Sequence, residues 1–91
     1  MRYVVNEELL YRKNGASLDE VILSVGAEVD GIHLGTLEPH EAKVFRRIEM
    51  RQRKTDPSVR MGFFQYEGVI RCAILGKQLI VKRRQRARRL R

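Results

Sequence analysis

The chain has 91 residues, 43% of them hydrophobic, which suits one small domain with a modest core. A single cysteine, Cys72, rules out an internal disulfide framework, and no run approaches the ~18 apolar residues of a membrane span. Nineteen Lys and Arg against eleven Asp and Glu leave a net charge of +8, so polyanions are the partners to consider first.

The charge is unevenly spread. Residues 1–42 carry three basic and eight acidic side chains, a net of −5, whereas residues 43–91 carry sixteen and three, a net of +13. If the two halves also separate in space, the acidic one should face away from a phosphate backbone. The first ten residues, MRYVVNEELL, lack the apolar stretch and small-residue cleavage site of a signal peptide, so a cytoplasmic protein is expected.

Residues 2–5 and 8–13 read as strands, with Tyr3, Val5, Leu9 and Tyr11 on the alternating face. Asn14-Gly15 and Asp30-Gly31 are dipeptides favoured in two-residue hairpin turns, where both central residues take positive φ. Around Asp30-Gly31 the pattern Val21, Leu23, Val25, Ala27, Val29, then Ile32 and Leu34, predicts a hairpin pairing Val29 with Ile32 and Ala27 with Leu34. A helix competes for this stretch, since Ser17 and Glu20 have capping-box spacing and Leu18, Val21, Ile22 and Val25 fit a 3.6-residue period. The β-branched content favours the hairpin.

One long amphipathic helix is expected at about residues 39–55. Pro39 suits the first turn, Glu38 and Glu41 suit the positive end, and Arg51, Arg53 and Lys54 suit the negative end. Leu37, Glu41, Val44, Phe45, Ile48 and Gln52 line one side, while Lys43, Arg46, Arg47, Met50, Arg53 and Lys54 cluster opposite, tempered only by Glu49. Asp56-Pro57 ends the helix. Strands follow at Val59–Tyr66 and Val69–Leu75, joined near Glu67-Gly68, and then at Gln78–Lys82 after Gly76-Lys77. Because Arg71 alone is polar in Val69–Leu75, that strand reads as central and covered on both faces.

The last ten residues hold Lys82, Arg83, Arg84, Arg86, Arg88, Arg89 and Arg91. Such a block repels itself and is expected to stay flexible until an anion arrives. Nucleic acid is the expected partner, because each neutralised phosphate releases a condensed counterion. A protein partner is the rival, and anchoring to a membrane by charge alone is weak.

Chemistry finds no foothold. His33 and His40 have no nearby cysteine, Asp19 and Glu20 point apart on a strand, and no glycine-rich phosphate loop or metal-ligand spacing occurs. No cofactor or metal is expected.

The fold expected is therefore α+β: an antiparallel sheet of about five to seven short strands with the helix packed on it, in a domain over 1–82 followed by an arginine-rich tail over 83–91. The function expected is non-enzymatic nucleic-acid binding, with RNA favoured over DNA because the sheet carries aromatics and no helix-turn-helix pattern is present. Lys43, Arg46, Arg47, Arg53, Lys54 and the seven basic residues from Lys82 to Arg91 would meet phosphates, and Phe64 and Tyr66 are candidate stacking residues. The alternative is a small regulator or phage-type inhibitor that occupies a host protein. Oligomeric state has no signature in the residue pattern.

Overall fold

The computed structural model describes residues 1–12 and 19–82, with backbone alone for 19–21. The expected Asn14-Gly15 turn and the tail over 83–91 lie outside the described residues. The chain is α+β. Its strands are β1 (Arg2–Val5), β2 (Leu9–Arg12), β3 (Asp19–Leu23), β4 (Glu28–Gly31), β5 (Met61–Tyr66), β6 (Val69–Ile74) and β7 (Leu79–Val81), with helix α1 (Pro39–Thr55) between β4 and β5.

Five strands form one antiparallel sheet in the order β6-β5-β4-β1-β7, while β2 and β3 pair separately as a two-stranded ribbon inserted between β1 and β4. The two edges of the large sheet, β6 and β7, are joined by only four residues. There Gly76 takes φ +90, its N–H donates to the Leu79 carbonyl, and Leu75 bridges Leu79. So short a link between opposite edges requires the sheet to curl, and the curl encloses the core.

That core contains Tyr3, Val5, Leu9, Leu23, Val29, Phe64, Ala73 and Leu79, with Tyr11, Ala27, Tyr66 and Leu75 at its margin. Alternation explains the membership: Tyr3 faces Val29, Val5 faces Leu79, and Gly62 faces Ala73 across their strand pairs.

The hairpin expected at Asp30-Gly31 does not form. Both residues lie within β4, where Asp30 pairs with Arg2 and Gln65, and Gly31 pairs with Phe64. Val29 therefore faces Tyr3 rather than Ile32, and Ala27 accepts from Val5 N–H rather than pairing with Leu34. The reversal comes earlier, at Ser24–Ala27, where Gly26 takes φ +96 and Ala27 N–H donates to the Ser24 carbonyl. A left-handed third residue is what a type II turn requires. Residues 19–23 are strand, so the competing helix is also absent.

The β5–β6 turn is the two-residue loop Glu67-Gly68, with φ +52 and +78. Both values match the type I′ hairpin turn.

Strand β6 is an edge of the sheet, not a central strand. Its apolar composition reflects cover from the ribbon: Tyr11 O–H donates to the Cys72 carbonyl at 3.3 Å and Arg71 Nη2 to the Arg12 carbonyl at 3.3 Å. Gln78 Oε1 accepts from Ile74 N–H at 2.8 Å, occupying another outward-pointing group of the edge.

Helix α1 packs on the outer face of β5. Pro39 opens it, and its carboxyl end is closed by Thr55 Oγ1 and Asp56 N–H, both donating to the Gln52 carbonyl. Asp56 then accepts from Ser58 N–H and Oγ, and those bonds hold its carboxyl below the ordinary range.

Candidate nucleic-acid interface

The packing of α1 decides which side chains it displays. Ala42 is its one buried residue. Phe45 meets Phe63 edge to face, with centroids 5.8 Å apart. Glu49 Oε2 accepts from Met61 N–H at 2.9 Å, and Arg53 Nε donates to the Val59 carbonyl at 2.9 Å. The inward side thus runs through Ala42, Phe45, Glu49 and Arg53.

This direction is rotated in part from the sequence expectation: Glu41, Phe45 and Ile48 are half-buried on the side expected to face the core, whereas Gln52 is exposed. Val44, assigned to the core side, is 51% exposed. Arg53, assigned to the outer side, turns back to the β5 approach and lies 4.0 Å from Glu49. Glu49, expected to dilute the basic side, is drawn into the domain. What stays outermost is Lys43, Arg46, Arg47, Met50, Arg51 and Lys54, which line one shallow hollow. Arg51 falls outside the sequence expectation because on the helical wheel it lies only about 20° from Val44, beside the side expected to face the core. A signal was available: Ala42 and Glu49 are seven apart, and centring on them brings Arg51 into the outward arc.

The remaining candidates are dispersed. Lys82 Nζ contacts Glu28 Oε2 at 2.8 Å, and Arg2 reaches both Glu28 and Asp30, at 3.2 and 3.3 Å. The Lys82 and Arg2 hydrogen bonds hold the Glu28 carboxyl below its usual range. Lys82 from the basic half and Glu28 from the acidic half therefore meet on the β1–β4–β7 surface, while Arg2 pairs within the acidic half. Arg83, Arg84, Arg86, Arg88, Arg89 and Arg91 lie outside the described residues.

Phe64 is fully buried, so it cannot stack on a base while the domain is folded. Its ring lies 6.0 Å from that of Tyr11, which in turn carries the Arg71 guanidinium 4.8 Å above its centroid. Tyr66 is half-buried against the core. Phe63, the neighbouring residue of β5, lies under the helix against Phe45.

Groups with reactive potential are quiet. The Cys72 thiol is half-buried and pushed up by that burial, which disfavours the thiolate. His33 and His40 are exposed. Among the described residues no cluster of three or more His, Cys, Asp or Glu could hold a metal, and no helix is long and apolar enough to cross a membrane.

No family model, curated protein or solved structure matches the chain.

Proposed function

We propose that this is a cytoplasmic protein that binds nucleic acid without catalysing a reaction on it, gripping phosphates through α1 and the arginine-rich carboxyl terminus. The observation that carries this reading is the composition of the outward side of α1. Five cations, Lys43, Arg46, Arg47, Arg51 and Lys54, surround Met50, and Glu49, the single acid between residues 43 and 54, is turned away onto Met61 N–H. A helix kept soluble by charge alone usually interleaves both signs. One sign concentrated on one flank raises the local potential that attracts a polyanion.

The tail would add the larger share of binding free energy, and the helix would set orientation. The test is binding of labelled oligonucleotides across a salt series. With five or more phosphates contacted, log K should fall against log salt with a slope of about −4 or steeper. Replacing Lys43, Arg47 and Lys54 by Gln should flatten the slope by about 2 to 3, roughly one per phosphate contact. No binding in dilute buffer would reject the reading.

A protein-binding role draws on a separate feature, the in-register pair Leu10 and Ile22 on the ribbon, which are 53% and 52% exposed. A protein recovered with the chain from its host in place of nucleic acid would favour that role.

A further inference from the structure

Resting on the nucleic-acid reading, we infer that the target of α1 is the major groove of duplex DNA, with Met50 against base edges and the surrounding cations on the flanking phosphates.

The shape of the displayed surface leads there. At 100° per residue, Arg46, Met50, Lys43, Lys54, Arg47 and Arg51 span an arc of about 140°, its centre turned by roughly 135–140° from the mean direction of Ala42, Phe45 and Glu49. Most of that surface therefore turns away from the sheet, with Arg46 at its near edge. A helix with its side chains is about 10–12 Å across, and the B-DNA major groove is about 12 Å wide. From Lys43 to Lys54 the rise is about 16 Å, close to five base-pair steps.

Polarity within the helix restricts the fit further. Glu38 and Glu41 sit at its amino-terminal end. Phosphates would be repelled there, so the segment from Lys43 onward is the part that enters. Met50 lies between Arg46 and Lys43 toward one edge of the arc and is 65% exposed, an apolar contact available to thymine methyl groups.

Two other nucleic acids fit less well. Duplex RNA has a deep, narrow major groove that a helix cannot enter. Single strands are held by aromatic stacking, yet Tyr3, Phe63 and Phe64 are buried. Of the two stacking candidates on the sheet, Phe64 is consumed by packing and Tyr66 is half-buried against the core.

The experiment measures the full chain against matched duplex DNA, duplex RNA, single-stranded DNA and single-stranded RNA of about 24 units, by anisotropy in dilute buffer. Duplex DNA should bind at least about tenfold more tightly than duplex RNA. Replacing Lys43, Arg47 and Lys54 by Gln should weaken duplex-DNA binding at least about fivefold more than duplex-RNA binding. A small molecule that occupies the major groove should displace the protein, whereas a minor-groove ligand should not. Met50→Ala, at an exposed position, reports on base-edge contact without touching the core. It should lower duplex-DNA affinity about threefold and leave single-strand affinity unchanged. Equal or tighter binding of duplex RNA or of either single strand would overturn the groove assignment while leaving nucleic-acid binding intact. Displacement by the minor-groove ligand alone would do the same. Failure to bind all four would remove both.

Discussion

The Tyr3 ring occupies the space above Gly31. A Cβ at position 31 would lie 2.9 Å from Tyr3 Cε2 and 3.3 Å from the Met1 carbonyl oxygen, and one at Gly62 would lie 3.0 Å from Leu79 Cδ1 and 3.2 Å from Tyr3 Cζ. Two glycines on neighbouring strands therefore make the cavity that one tyrosine from β1 fills. The missing side chain at Gly31 serves packing across the sheet, not backbone freedom in a turn.

Gly31→Ala should accordingly lower stability by about 1–3 kcal/mol through overpacking. In a chain of this size that corresponds to a fall in Tm of several degrees. Combining it with Tyr3→Leu should cost less than the two single changes added together, because the smaller side chain relieves the clash. Additive losses in denaturant unfolding would contradict this packing.

Glu67 sits at φ +52, a region where a side chain carries a penalty of about 1–2 kcal/mol relative to glycine. Its side chain is exposed. Glu67→Gly or Glu67→Asn should raise stability by about 0.5–1 kcal/mol, read as a shift of the unfolding midpoint without a change in slope.

Burial pushes the Tyr11 hydroxyl up to about 12, with Cys72 adding to the shift and Arg71 opposing it. The folded value lies above the ordinary value of about 10, so the folded state holds this proton more tightly. Its contribution is intact below about pH 10 and is lost as pH rises through about 12. Stability measured across that window should fall, and less steeply in Tyr11→Phe. Tyr3, also pushed up by burial, retains part of the slope. An unchanged slope in the variant would show that Tyr11 is not the titrating group.

The packing direction of α1 can be read from two neighbouring substitutions. Phe45→Ala removes the edge contact with Phe63 and should destabilise the domain by about 1.5–3 kcal/mol. Val44→Ala should stay within about 0.5 kcal/mol, since Val44 is more than half exposed. Similar losses at both positions would place the helix in the orientation that the apolar periodicity alone suggests.

Much was legible in the residue order. Local patterns placed α1 with its proline start and Asp56-Pro57 stop, the strands near β1, β2, β5, β6 and β7, and the turn at Glu67-Gly68, because each depends on neighbours within a few residues. The concentration of cations after residue 42 was equally plain. Pairing was not. Asp30-Gly31 has the local chemistry of a hairpin, but its glycine answers to a tyrosine twenty-eight positions away. Strand β6 has the composition of a central strand, but the ribbon covers it from the side. The same holds for the helix. Its periodicity leaves several inward directions nearly equivalent, and contacts with Phe63 and Met61 N–H select one, which hides Glu49 and exposes Arg51. Short-range sterics and hydrophobic period determined which segments are helix or strand. Long-range packing alone decided what faces what, because side-chain direction is set by partners that the local sequence does not contain.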